Sequence, residues 1–320
     1  MKVRKKPRKT ESNLEFWGKY VYFKGREREL RRSLPSARYH MDKPKKNKVF
    51  SIPLINWDID RINDIKNLSH LQELQFLQLD RNNLTQIEGL EALNNLEILY
   101  LGANCIEQIQ GIDHLEKLTT LSLRKNKIQR IENLDSLQNL EVLDLSGNNI
   151  KCIEKLDKLT SLRKLYLDSN AIAEIENVEQ LSRLELLSIT DNLLSEIKGL
   201  DHLKRLKELY IGGKNISNIR GLDNLKNLKK LVMTNTSIAD IENLDHLKNL
   251  ELLSITDSRI REIRGLDTLK NLKWLNLNNN RITEIKGLEN LTKLETLYLS
   301  HNQIEEIKNL ESFSLSELYL

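Results

Sequence analysis

Apolar residues return along this chain at intervals that add up to 22. Counting from Asn82, the motif LxxLxLxxNxIxxIxxLxxL recurs at Asn104, Asn126, Asn148, Asn170 and Asn192, then at Lys214, Thr236 and Ser258, then at Asn280 and Asn302. One step back falls on Asp60, which gives 12 repeats without insertion or deletion. Ahead of the index stand leucines such as Leu96, Leu99 and Leu101, and behind it residues such as Ile150, Ile153, Leu156 and Leu159. In LxLxx the side chains alternate across an extended strand, so both leucines face one side. Twelve such strands predict a parallel sheet that spans roughly 50 Å at ~4.8 Å per strand. No repeat can bury its apolar side alone, so the fold is a solenoid in which each turn needs its neighbours.

The index asparagine sits where the chain leaves the strand. Its amide donates and accepts, so it is expected to satisfy backbone groups of the buried turn. Asn82, Asn104, Asn126, Asn148, Asn170, Asn192, Asn280 and Asn302 then form a ladder. Lys214, Thr236 and Ser258 interrupt it, through drift or through a kink or specialised surface. Seven residues after the index stand Gly89, Gly111, Asn133, Asn177, Gly199, Gly221, Asn243, Gly265, Gly287 and Asn309, with Asn67 in the first repeat. Glycine and asparagine tolerate positive φ, so a left-handed residue is expected there in every turn. Lys155 alone departs, and is expected to be strained or locally different.

The 22-residue period with IxxIxGL and IxxIxNL segments resembles the SDS22-like class of leucine-rich repeats over residues 49–320. The internalin class shares the period but typically carries Pro where this chain has Gly or Asn. The resemblance implies an α/β solenoid, a horseshoe with a concave parallel β-sheet and short 3-10, α or irregular convex segments. It also implies a protein partner on the concave sheet. The best-known members regulate a serine/threonine protein phosphatase, so a phosphatase is the sharpest partner the resemblance implies. No phosphatase-contact motif carries over residue by residue.

The outward strand positions lie six, four and two before the index. The middle row reads Asn56, Gln78, Tyr100, Ser122, Asp144, Tyr166, Ser188, Tyr210, Val232, Ser254, Asn276 and Tyr298. Four of the five tyrosines after residue 39 lie in it, and the fifth, Tyr319, takes the equivalent place in the last half-repeat. One flank adds Phe76, Ile98, Lys164, Glu208, Lys230 and Trp274, and the other Asp80, Arg124 and Asp168. Tyr, Trp and Arg anchor interfaces most often. The candidate partner-binding residues are therefore Phe76, Tyr100, Arg124, Asp144, Lys164, Tyr166, Asp168, Tyr210, Trp274 and Tyr298. The alternative is that the aromatic row is copied with the repeat and carries no use.

Charge divides the chain. Residues 1–48 hold 17 Lys/Arg and 5 Asp/Glu, a net of +12, and residues 49–320 hold 33 and 41, a net of −8. Residues 1–11 read as a basic disordered tail. Residues 12–48, with Phe16, Trp17, Tyr20, Tyr22, Phe23 and Tyr39, read as a cap for the open end of the stack or as a basic–aromatic patch for nucleic acid or an anionic membrane. The N-terminus lacks the apolar segment of a secretory signal, so a cytoplasmic setting is expected. Cys105 and Cys152 are two turns apart, too far for a disulfide, and Cys105 is expected to be the more exposed. His70, His114, His202 and His246 share one register and are expected on the convex surface without a metal. Gly212-Gly213-Lys214-Asn215 lacks the spacing of a phosphate-binding loop, and no catalytic motif is present, so a non-enzymatic binding scaffold without cofactor is expected. Phe313, Leu315, Leu318 and Leu320 start a thirteenth strand about one residue out of register.

Overall fold

A computed structural model describes residues 20–23, 26–29, 31–32, 50–65, 68–310, 313 and 315–320. Its main sheet contains the parallel strands Phe50–Pro53, Phe76–Gln78, Ile98–Tyr100, Thr120–Ser122, Val142–Asp144, Lys164–Tyr166 and Leu186–Ile189. It continues through Glu208–Gly212, Lys230–Thr234, Leu252–Thr256, Trp274–Asn276, Thr296–Tyr298 and Glu317–Tyr319. Each strand pairs with the next in the chain, which is the topology of a solenoid. At the N-terminal edge, Arg31–Arg32 pairs antiparallel with Phe50–Ser51, and Tyr20–Phe23 with Arg26–Glu29 forms a separate two-stranded ribbon. The rest of the segment expected to be a tail or a cap lies outside the described residues, as does Asn67. No α-helix occurs among the described residues. Short 3-10 turns occupy Ile62–Asp64 and Leu68–His70.

The buried leucines and isoleucines of every turn merge into one core from Ile52 to Leu299. Each fully buried Leu or Ile contributes ~1.5–3 kcal/mol relative to exposure. The constant 22-residue step holds from Phe76 to Tyr298, but not at the two ends. Pro53, not Asn56, pairs with Gln78, so the first turn is 25 residues long and its index position is Trp57 rather than Asp60. The extra length is one additional three-residue turn. Leu68, Leu71 and Leu74 donate to the carbonyls of Ile65, Leu68 and Leu71, whereas in the next turn only Leu93 and Leu96 make such bonds, to Leu90 and Leu93. Ile59, Ile62, Ile65, Leu68, Leu71 and Leu74 repeat every three residues and are all buried, so a slip of three leaves the apolar pattern unchanged. At the other end Thr296 pairs with Glu317, a step one residue short, as the apolar pattern there predicts.

The asparagine ladder has the expected chemistry. Asn104 donates through Nδ2 to Leu101 O in its own turn (2.9 Å) and to Leu79 O in the preceding one (3.0 Å). Its Oδ1 accepts from Leu84 N of the preceding turn at 3.1 Å. The same three bonds recur at Asn126, Asn148, Asn170, Asn192, Asn280 and Asn302. Asn82 serves the first turn through Trp57 N, Ile59 N and Leu54 O. Where the ladder breaks, Lys214 is exposed, while Thr236 and Ser258 pair through their hydroxyls at 2.6 Å. The three strands beside the break run to five residues, as Gly212, Thr234 and Thr256 join the backbone ladder.

The second periodic position is left-handed at every described member of the series. Gly89, Gly111, Asn133, Asn177, Gly199, Gly221, Asn243, Gly265, Gly287 and Asn309 all have positive φ, and so does Lys155 at 56°. In most turns the residue faces the carbonyl 24 residues earlier. A Cβ at Gly199 would stand 2.0 Å from Ile175 O, whereas Asn177 bends its amide onto Ile153 O at 2.8 Å. A further left-handed row lies just before the index. Gly147, Asp191, Asn235, Asp257 and Asn279 suit that conformation, but Arg81, Ala103, Lys125, Ser169 and His301 adopt it without such a signature. Its cost of roughly 1–2 kcal/mol per residue is offset by ladder bonds such as Arg81 N to Gly102 O (2.8 Å) and Ala103 N to Arg124 O (2.7 Å).

The cysteines are free, but their order of exposure is the reverse of that expected: Cys152 is exposed and Cys105 half-buried. Cys105 follows the ladder asparagine, and its N–H is stitched to Leu84 O at 2.8 Å, which holds it between neighbouring turns. His114 and His246 are partly buried, each placing Nε2 at about 3 Å from the carbonyl of Leu90 or Leu222 in the turn before.

Three stability outcomes follow from this backbone. Lys155→Asn should raise the unfolding free energy by ~1 kcal/mol by removing left-handed strain, and Gly199→Ala should lower it by more than ~1 kcal/mol, both read by urea unfolding. Asn126→Ala should cost ~1–3 kcal/mol, because it strands buried backbone groups of two turns.

Candidate functional site

Strand register puts the expected site residues of two parallel rows on one face of the sheet, and Asp80, Arg124 and Asp168 follow just beyond the strand ends. Phe76, Ile98, Thr120, Val142, Lys164, Leu186, Glu208, Lys230, Leu252 and Trp274 align in the first, and Gln78, Tyr100, Ser122, Asp144, Tyr166, Ser188 and Tyr210 in the second. Pro53 takes the place expected for Asn56. Because strand side chains alternate, this face is separate from the leucine core behind it.

The face divides into three zones. At the N-terminal end Phe76, Ile98 and Tyr100 form a small apolar cluster of their own, with Phe76 and Tyr100 edge-to-face at 5.4 Å. At the C-terminal end Tyr298 lies 5.2 Å from Trp274 and stacks on Tyr319 at 4.6 Å, while its hydroxyl donates to Glu317 at 2.9 Å. Tyr210 stands nearer the middle. It donates to Glu208 at 2.8 Å, and Lys230 reaches the same carboxylate at 3.3 Å. The sequence-predicted residues are therefore not one cluster: Phe76 with Tyr100 and Trp274 with Tyr298 stand at opposite ends.

Carboxylates organise the polar part of the face, from Asp80 in the turn of Phe76 to Asp144 and Asp168 further along. Asp80 accepts from Gly102 N and Gln78 Nε2, both at 2.7 Å. Asp144 accepts from Ser146 N at 3.0 Å. Asp168 gathers Ser188 Oγ (2.7 Å), Thr190 N (2.8 Å) and Thr190 Oγ1 (2.7 Å). Asp80 and Asp144 are only 6 % exposed. Burial is the largest influence on each and pushes both carboxyl groups above the ordinary aspartate value, against the attraction of the Arg124 guanidinium. Asp168 adds to the rise at Asp144. Burial, with Asp80 and Asp144 nearby, pushes the Tyr100 hydroxyl up to about 12, and burial with Glu208 raises Tyr210 as well.

Sequence reasoning places these aspartates on the face but does not foresee their burial. It also misses Gly102, where a Cβ would come within 2.7 Å of Asp80 Oδ1 and 2.9 Å of Arg124 Cγ. That bare backbone lets Arg124 lie toward Asp80. The signal was a lone glycine at an outward strand position, which marks a close approach. No group of three or more metal-ligating side chains occurs among the described residues.

The family model for Leucine Rich repeats (2 copies) matches residues 72–114, 204–246 and 270–312, and a second Leucine rich repeat model matches residues 117–172. No curated protein matches the sequence. Among solved structures the chain is similar to a leucine-rich-repeat protein of Leptospira interrogans, with 28% identity, a TM-score of 0.75, and 82% of this chain and 70% of that one covered. It is also similar to the internalin InlF of Listeria monocytogenes, with 26% identity, a TM-score of 0.70, and 84% and 86% covered. A third similar structure is the TLR13 complex with single-stranded RNA, at 26% identity and a TM-score of 0.67, covering 77% of this chain and 39% of that one.

The raised Asp144 gives a pH-dependent outcome with a definite sign. An acid whose folded pKa lies above its unfolded one costs stability as pH rises through that window and costs nothing below it. In Asp144→Asn the side-chain oxygen can still accept from Ser146, and the charge is gone. Urea unfolding should show the variant gaining on the parent chain near pH 7, with the gain vanishing near pH 4, about the unfolded aspartate value.

Proposed function

Because the chain is a leucine-rich-repeat protein, we propose that it is a non-enzymatic scaffold that holds a protein partner on the open face of its sheet. The observation that carries this reading is the register of that face: Tyr100, Tyr166, Tyr210 and Tyr298 stand in one row, flanked by Trp274 and Arg124. Tyrosine, tryptophan and arginine supply most interface hot spots, and rigid strands hold them at little further entropic cost. Repeat proteins present such faces as extended binding surfaces.

Chemistry favours protein over nucleic acid here. The similar TLR13 structure is a complex with RNA, but this face carries Asp80, Asp144, Asp168 and Glu208, whose charge opposes a phosphate backbone. Resemblance to the SDS22-like class supports the narrower form of the reading, a cytoplasmic regulator whose partner is a protein phosphatase. A second reading rests on the net charge of +12 in residues 1–48, which suits nucleic acid or an anionic membrane.

Affinity co-purification with the intact chain and with the Tyr166→Ala/Tyr210→Ala/Trp274→Ala variant separates these readings. Recovery of the partner should fall at least roughly tenfold in the variant, as loss of hot-spot side chains requires, with an unchanged circular dichroism spectrum. Equal recovery, with binding that disappears on deletion of residues 1–48 and falls steeply with salt, would move the function to the arm.

A further inference from the structure

The turns in which the asparagine ladder breaks also differ from the rest on a second surface. Lys204, Lys226, Lys248 and Lys270 occupy the same place in four successive turns, four residues ahead of the strands Glu208–Gly212, Lys230–Thr234, Leu252–Thr256 and Trp274–Asn276. Three of these are the five-residue strands. Earlier turns place Asn94, Glu116, Gln138, Thr160 and Ser182 there, and the following turn places Thr292, so lysine is confined to this stretch. The row has an ordered backbone. Asn227, Asn249 and Asn271 donate their amides to the carbonyls of Lys204, Lys226 and Lys248 at 2.8, 2.9 and 2.9 Å. All four lysines are exposed. Among the described residues none of the four has an ion pair, whereas the neighbouring Lys229 and Lys230 are paired with Glu251 and Glu208 at 3.0 and 3.3 Å. On the sheet side, beyond the row of Lys207, Lys229, Glu251 and Lys273, half-buried Leu252 and Trp274 add apolar surface in the last two turns of the strip. On the convex side it is bordered by Asp201, Asp223, Asp245 and Asp267.

We propose that this lysine row docks an acidic α-helical segment of the partner protein, laid along the axis of the stack. The inference rests on the protein-binding reading above and adds the chemistry of the partner. Spacing selects the helix. Adjacent strands lie ~4.8 Å apart, and a helix rises ~5.4 Å per turn. One carboxylate per helical turn, at i and i+3 or i+4, therefore meets one lysine per repeat, with a mismatch of roughly 2 Å over four rungs, which lysine side chains absorb. An extended strand repeats its side every ~6.8 Å and would drift by roughly 6 Å over the same span. The aspartates border the strip on its convex side, while on the sheet side Lys207, Lys229 and Lys273 are already paired with Glu185 and Glu251, so the available charge lies mainly in one row, which suits one face of a helix. The apolar margin at Leu252 and Trp274 fits the remainder of an amphipathic helix.

The test uses the full chain and two fluorescent 18-residue helical peptides of identical composition. One gathers its glutamates into a single stripe beside leucines, and the other scatters them around the helix. Fluorescence anisotropy should give the striped peptide roughly tenfold tighter binding, as several exposed ion pairs together would. That preference should vanish in Lys204→Glu/Lys226→Glu/Lys248→Glu/Lys270→Glu and survive the corresponding four-arginine variant. All four positions are exposed, so folding is retained, and circular dichroism checks it. Equal affinity for the two peptides overturns the proposal, as does a preference that persists in the glutamate variant. Tighter binding of a 20-nucleotide oligouridylate, lost in that variant, assigns the strip to nucleic acid instead. If the peptides show no lysine-dependent preference but the captured partner is still lost with the tyrosine and tryptophan substitutions, this docking mode falls and the scaffold reading stands.

Discussion

Each turn of this molecule is buried against two others, so the polar backbone of a turn must find its hydrogen bonds in its neighbours. A buried N–H or C=O without a partner costs ~1–3 kcal/mol, and a stack of identical turns multiplies any such defect. The ladder asparagine meets this demand with three bonds from one side chain, two to carbonyls in successive turns and one from an N–H in the preceding turn. Those bonds fix the spacing and lateral register of the turns together. The leucines then meet at equal heights, and the core is continuous with no α-helix among the described residues to cover it.

The convex side solves the same problem with other residues. In most turns the carbonyl 24 residues before the left-handed position is either approached by a bare glycine or capped by an asparagine amide, as at Gly199 and Asn177. On the edge ahead of the strands, Arg163 and Lys207 share Glu185 at 3.0 and 2.7 Å. Such exposed pairs add little stability individually, but they consume charge. The lysine strip is notable because its four members make none. It coincides with the turns that replace asparagine by Lys214, Thr236 and Ser258, where the backbone ladder lengthens to carry part of the load.

The sheet face is less open than a row of polar letters suggests. Asp80 and Asp144 are held in the sheet surface by backbone N–H groups and by Arg124, and remain costly to ionise. A partner that brings a cation or donor to this zone relieves that cost, whereas the aromatic groups at the two ends offer apolar area. Anchoring and discrimination are thus divided along one face, with the apolar ends supplying contact area and the carboxylate zone selecting against anions.

Pattern alone was enough for the solenoid, the inward leucines, the asparagine rungs, the left-handed glycine and asparagine positions, and the outward residues from the second turn onward. These follow from period and residue chemistry, because each position repeats under the same constraint. Lys155 was legible for the same reason, as an exception to a rule. The rest waited on how the turns pack. The first turn could slip by three residues because Ile59 to Leu74 repeats every three, so packing and strand pairing rather than pattern chose the register. The left-handed row at Arg81 and Ala103 was hidden because hydrogen bonds to the next strand, not glycine, sustain it. The burial of Asp80 and Asp144, the approach of Arg124 across Gly102 and the exposure of Cys152 over Cys105 depend on side chains brought together from different turns. A periodic sequence gives the position of each residue within its turn, but what lies beside it is settled only when the turns stack.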